Sequence, residues 1–195
     1  MSHYQELTLL QHEEVPLYAL WGKVYTQIHL ALTELQAALG TGKVGVAFPE
    51  YRFDAEAQSG HLGRKLRVFA DDAAVLQQLN LAQHLRRYAD YVQLSAVAAV
   101  PAEHGLACYA RVQVKSGAER ATRRLIKRHP ELNYETELAR LQALSVHSAL
   151  PFIQLNSLSS KQTFRLFIAK TAALTAQTGD FGSYGLSNSA TVPDF

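Results

Sequence analysis

The sequence predicts an α+β protein in two parts. Residues 1–103 read in the order β-α-β-β-α-β, the ferredoxin-like split unit, and residues 104–195 read as a C-terminal α+β domain with an arginine-rich helix and a β-hairpin. Three observations predict this. Short apolar runs alternate with two stretches whose apolar residues recur at helical spacing. The texture changes at "PAEHG" (101–105), a plausible boundary. Finally, "ERATRRLIKRH" (119–129) gathers Arg120, Arg123, Arg124, Lys127 and Arg128 within roughly 140° of a helix circumference, with Leu125 and Ile126 pointing the other way.

Taken in order, "YQELTLL" (4–10) reads as a short strand. Pro16 then opens a long helix carrying Trp21, Val24, Tyr25, Ile28, Leu32 and Leu35, and "GTG" (40–42) ends it. "VGVAF" (44–48) and "KLRVF" (65–69) read as strands separated by a polar loop. Asp71 and Asp72 start a second helix with Val75, Leu76, Leu79 and Leu85, and "YVQLSAVAAV" (91–100) reads as a fourth strand. Beyond the boundary come a strand over 108–115 ("CYARVQVK"), the basic helix, and a further helix near 133–144. "PFIQLNS" and "TFRLFIA" then form a hairpin across "LSSKQ", and a tail contains "YGLSNS".

Composition narrows the chemistry. No apolar run approaches the ~18 residues of a membrane span, and "MSHYQELTLL" lacks the pattern of a signal peptide. The single cysteine, Cys108, has no partner within the chain and fits the cytoplasm. Neither zinc-knuckle nor HExxH spacing occurs, so no cofactor is expected and a metal-dependent nuclease is poorly supported. The formal net charge of +2 hides an asymmetry: from Arg111 to Arg128 there are seven basic residues and a single acid, Glu119, while the rest of the chain is net acidic.

Concentrated positive charge suits a polyanion held on a local surface. The solvated-face alternative is weaker because no acid is expected to pair with these arginines at i,i+4. Arg111, Gln113 and Lys115 alternate on the preceding strand and would extend the surface. The planar fork of arginine suits phosphate and guanine. The first domain lacks the aromatic signature of an RRM, so the second is expected to hold RNA.

Other candidates are ambiguous from position alone. His29 lies at the edge of the apolar stripe of the first helix, where a half-buried structural histidine is the ordinary finding. His129 ends the basic helix, where a cation suits the dipole. Ser157, Ser159 and Ser160 sit in a turn, where serine is common, and no G-x-S-x-G elbow accompanies them. Tyr184 and Phe164 read equally well as packing residues.

As an ordered set, "HLALTEL", "VGVAFP", "RVQVKS" running into the arginine helix, "LPFIQLNSLSS", "FRLFI" and "YGLS" resemble the CRISPR-associated endoribonuclease of type I-F systems, the Cas-six enzyme family that cuts repeat hairpins of precursor CRISPR RNA. The resemblance implies catalytic roles for His29, Ser157 and Tyr184, with Asn156 where a basic residue is common. It implies RNA binding by Arg120, Arg123, Arg124, Lys127 and Arg128 along the hairpin's major groove, base contacts by Arg111 and Gln113 beside the cut, and stacking of Phe164 on the terminal base pair. The implied partners are the repeat RNA hairpin, retained after cleavage, and subunits of a Cascade-type surveillance complex, with no membrane. The implied reaction needs neither metal nor covalent intermediate, because RNA supplies its own 2′-hydroxyl and leaves a 2′,3′-cyclic phosphate. An RNA-hairpin-binding subunit without catalysis is the alternative; a small-molecule regulatory domain would leave the arginine helix unexplained.

Overall fold

The computed structural model describes residues 1–113, 118–143, 149–157 and 161–195. The elements run β1 (His3–Leu9), α1 (Leu17–Leu39), β2 (Gly45–Ala47), β3 (Arg52–Asp54), β4 (Ser59–His61), β5 (Lys65–Ala70), α2 (Ala73–Leu79), α3 (Leu81–His84), a 3-10 stretch (Arg86–Tyr91), β6 (Val92–Leu94), β7 (Ala98–Ala99), β8 (Gly105–Val112), α4 (Ala118–Arg128), α5 (Tyr134–Ala143), β9 (Phe152–Asn156), β10 (Thr163–Ala173) and β11 (Val192–Asp194). The chain is mixed α/β with antiparallel sheets. It forms two compact units, Met1–Val112 with Leu150–Phe195, and Gln113–Ala149. This division differs from the 103/104 boundary read from sequence, because α1 packs on β9 and β2 lies against β11.

Within the first unit, one sheet has the order β2-β5-β1-β6, every neighbouring pair antiparallel, and β7 also pairs with β1. The second sheet has the order β11-β8-β10-β9. Apolar residues of α1 (Leu20, Val24, Tyr25, Ile28, Leu32), of the first sheet (Leu7, Leu66, Val68, Phe69) and of the second (Tyr109, Ile153, Leu166, Ile168) belong to one buried core. Pro16 precedes α1 in extended conformation and Gly40 closes it at φ 72°, donating its N–H to the Gln36 carbonyl, as the sequence predicts. Asp72 caps α2 by accepting from the Ala74 N–H at 2.9 Å.

Several elements differ from the sequence reading. The second helix is broken at Asn80, which takes a left-handed conformation (φ 45°) that asparagine tolerates. The fourth strand is split because Ser95 intervenes: its Oγ accepts the Glu6 N–H at 2.9 Å in place of a ladder bond. The polar loop holds the β3–β4 hairpin, whose turn Asp54 organises by accepting from the Glu56 and Ala57 amides. The strand expected over 108–115 begins at Gly105, where β11 supplies a partner, and ends at Val112.

The second unit pairs α4 with α5. Thr122, opposite the basic stripe, is buried, while Arg120, Arg123, Arg124, Lys127 and Arg128 are exposed. Asn133 caps α5 through the amides of Glu135 and Thr136.

Candidate active site

The site begins with a helix that presses on a strand. A Cβ on Gly22 would lie 2.6 Å from the Gln154 carbonyl oxygen of β9, so glycine is what admits α1 this close. Thr26 and His29 follow Gly22 on the same helical ridge at i+4 and i+7. They therefore reach the end of β9, where Asn156 and Ser157 lead into the hairpin turn. The opposite face of α1 is held in the core by Leu20, Val24, Ile28 and Leu32.

The loop containing "YGLS" meets this ridge. His29 Nδ1 is 2.8 Å from the Ser183 carbonyl oxygen, and the His29 ring stacks on Tyr184 with centroids 4.2 Å apart and planes 13° from parallel. A carbonyl only accepts, so Nδ1 carries hydrogen; in the neutral ring Nε2 then holds the lone pair. The loop's shape is set by Gly185 at φ 67°, where a Cβ would approach Val46 Cγ1 to 2.5 Å. Its backbone is tied to β2 by Val46 N–H to Gly185 O at 2.9 Å and to β8 by Ser187 N–H to Tyr109 O at 3.0 Å.

A cleft of about 230 Å³ opens between these elements, lined by Thr26, His29, Leu155, Asn156, Ser157, Phe164 and Tyr184. The β9–β10 register pairs Phe164 with Leu155 and Thr163 with Asn156, so both strands deliver side chains to one end. Thr163 Oγ1 donates to Asn156 Oδ1 at 2.8 Å, which leaves the Asn156 amide hydrogens as donors. The Ser157 backbone closes the turn by donating to Gln162 O and accepting from Lys161 N–H, both at 2.9 Å. The Arg111 guanidinium carbon lies 5.4 Å from the Tyr184 ring centroid and 5.8 Å from that of Phe164, placing a cation beside the same aromatics.

Thus His29, Ser157, Tyr184 and Phe164, far apart in sequence, share one cleft, with Arg111 beside it. Gln113 directly follows the last residue of β8 and is exposed, as Arg111 is. Lys115, Ser159 and Ser160 lie outside the described residues. On α4, the expectation that no acid pairs with the arginines at i,i+4 is incorrect: Arg123 Nη2 is 3.6 Å from Glu119 Oε2. Both side chains are largely exposed, so the pair contributes little. His129 Nδ1 contacts Glu131 Oε1 at 3.1 Å.

Sequence reasoning missed Thr26 as a cleft residue, although helical spacing from His29 is a signal for it. It also missed the Ser183 carbonyl, for which side-chain identity gives no signal. The Tyr25 hydroxyl, fully buried, donates to the Tyr184 carbonyl at 2.8 Å. Burial, with a smaller contribution from the neighbouring Tyr184 hydroxyl, raises its pKa far above the ordinary tyrosine value, so it remains a donor. Among the described residues, no three His, Cys, Asp or Glu side chains converge as a metal site would require, and no helix is long and apolar enough to cross a membrane.

Comparison with known proteins converges on one family. The family model for CRISPR-associated protein Cas_Csy4 matches residues 4–195. The CRISPR-associated endonuclease Cas6/Csy4 of Escherichia coli (strain UTI89 / UPEC) is 34% identical over 200 residues, and that of Pseudomonas aeruginosa (strain UCBPP-PA14) is 35% identical over 199; each alignment covers 100% of both chains. The solved structure of an RAMP protein binding different RNA substrates aligns over 98% of this chain and 100% of that one, at 8% identity and a TM-score of 0.36, a likeness too weak to bear on function. With a match that runs from the first strand through the histidine helix, the β9–β10 hairpin and the "YGLS" loop, the chain belongs to the Cas_Csy4 family of CRISPR-associated proteins.

Proposed function

We propose that this chain is an endoribonuclease of CRISPR RNA processing that cuts the repeat stem-loop of the precursor and keeps the hairpin it has cut. The observation that carries the reading is the cleft in which His29 and Ser157 stand together, with Nδ1 of the imidazole held by the Ser183 carbonyl and its ring against Tyr184. Full-length relatives named as CRISPR-associated endonucleases support it.

The chemistry follows from what RNA brings. The 2′-oxygen attacks the adjacent phosphorus in line; the P–O5′ bond breaks and the departing O5′ takes up a proton from water, leaving a 2′,3′-cyclic phosphate and a 5′-hydroxyl. His29 takes the 2′-proton on Nε2, a contribution of ~10²–10⁴-fold for a well-placed group. Ser157 holds the ribose so that the attacking oxygen stays in line. Tyr184 keeps the imidazole plane fixed. The reaction requires no metal ion in this scheme, since the protein moves only protons. The arginines of α4, with Lys127, neutralise phosphates where the major groove opens at a helix end; Arg111 and Gln113 contact bases beside the cut, and Phe164 stacks on the last base pair. The histidine thus comes from 1–103 and the RNA-binding groups from 104–195. The β2-β5-β1-β6 sheet with α1 and α2 is read as a ferredoxin-like arrangement. The protein would act in the cytoplasm, delivering its hairpin to a Cascade-type surveillance complex.

The test is cleavage of a repeat hairpin in EDTA by wild type and by His29→Ala. Wild type should cut and His29→Ala should bind without cutting. Binding without cutting by wild type would favour a non-catalytic carrier instead.

A further inference from the structure

We infer that Tyr25 is a positioning residue for His29: from one turn earlier on α1 its hydroxyl holds the Tyr184 carbonyl, while His29 itself holds the Ser183 carbonyl, so two side chains of one helix clamp consecutive peptide groups of the loop that orients the imidazole. The two bonds are each 2.8 Å. The inference rests on His29 being the proton-transfer group.

The clamp is one-sided in a telling way. A hydroxyl buried this deeply has no water to turn to, and its removal takes from the Tyr184 carbonyl the donor it has. The Tyr25 ring is itself immobilised, stacked on Phe48 at 6.1 Å and edge-on to Trp21 at 6.5 Å. Its oxygen is therefore a fixed point. Release of the Tyr184 carbonyl removes one of two bonds on the peptide between Tyr184 and Gly185, whose N–H still donates to the Gly182 carbonyl at 2.8 Å, and lets it rotate about that remaining bond. That rotation moves the Tyr184 ring, which faces His29, and with it the neighbouring Ser183 carbonyl, which selects the tautomer. Tyr25 thus secures both of the contacts that fix His29, without lining the cleft itself. A core tyrosine serving packing alone would satisfy its hydroxyl anywhere; this one reaches the peptide adjoining the histidine's own anchor.

The test compares wild type, Tyr25→Phe, His29→Ala and the double variant with a repeat hairpin. Single-turnover cleavage, hairpin affinity and the ¹⁵N shifts of the His29 ring are read well below the lowest melting midpoint, so that every variant is folded. Tyr25→Phe keeps the ring packing and should slow cleavage between roughly tenfold and a hundredfold, with affinity within about twofold, since no contact to RNA is removed. The neutral imidazole, Nδ1-protonated in wild type, should become a mixture of tautomers. In the double variant Tyr25→Phe should add no loss to His29→Ala. Wild-type cleavage with an unchanged tautomer in Tyr25→Phe overturns the inference, as does a full additional loss in the double variant. Wild-type cleavage by His29→Ala overturns the reading of His29 itself, and the inference with it.

Discussion

His29 and Tyr184 lie ring on ring, their centroids 4.2 Å apart and their planes 13° from parallel, although 155 positions separate them along the chain. The stack limits the imidazole to one plane, and the Ser183 carbonyl limits it to one rotation within that plane. Both constraints come from the same loop, so the loop and the histidine work as one unit.

If the Tyr184 ring acts through its face, Tyr184→Phe should cleave within about twofold of wild type. Tyr184→Ala should lose roughly tenfold in single-turnover rate, the scale of an aromatic pair, with hairpin affinity unchanged. A loss equally large for phenylalanine would assign the work to the hydroxyl instead.

Gly185 lets the loop turn through the left-handed region without strain. Gly185→Ala combines a left-handed backbone with a Cβ 2.5 Å from Val46 Cγ1, and should destabilise the protein by about 2 kcal/mol or more. Denaturant unfolding reads this directly, and cleavage should fall with it because Tyr184 moves. An unchanged midpoint would mean that the loop relaxes freely.

The arginine helix should behave as a phosphate-binding surface. Arg124→Ala with Arg128→Ala should weaken hairpin binding and make the slope of log affinity against log salt shallower by roughly two. The melting temperature should stay the same, because both residues are exposed on α4. Equal affinity and slope in the double variant would remove α4 from the RNA interface.

Glu6 gives the fold an acid-sensitive link. Burial favours the protonated carboxyl, but hydrogen bonds from Lys65 at 3.0 Å and Arg67 at 2.7 Å outweigh it and hold the pKa below the ordinary glutamate value. A lowered folded-state pKa means that the link stabilises fully above the unfolded carboxylate pKa of about 4.3 and fades as pH falls through the folded value. Glu6→Gln should therefore destabilise most at neutral pH, and its deficit should shrink in acid. Urea midpoints measured across that range check the sign.

Much of this was legible in the sequence where chemistry is local. The α1 boundaries follow from Pro16 and Gly40, the Asp72 cap from its position, and the β9–β10 hairpin from apolar alternation on both sides of a serine-rich turn. What sequence hid is long-range. Asn80 breaks a helix through a backbone conformation that several residues share with turns, and β8 starts early where β11, 85 to 89 positions later, pairs with it. Likewise, resemblance named His29 and Tyr184, but the carbonyls of Ser183 and Tyr184 that restrain them belong to the backbone, on which side-chain identity is silent.

The most direct measurement uses a repeat hairpin with a single 2′-deoxyribose at the cleavage position, incubated with wild-type protein in EDTA beside the all-ribose strand. The account predicts equal binding, cutting of the ribose strand alone, and a 2′,3′-cyclic phosphate on its upstream fragment. Cutting of the deoxy strand, or a 3′-hydroxyl on the fragment, would contradict it, because the nucleophile would then be something other than the oxygen that His29 is proposed to deprotonate.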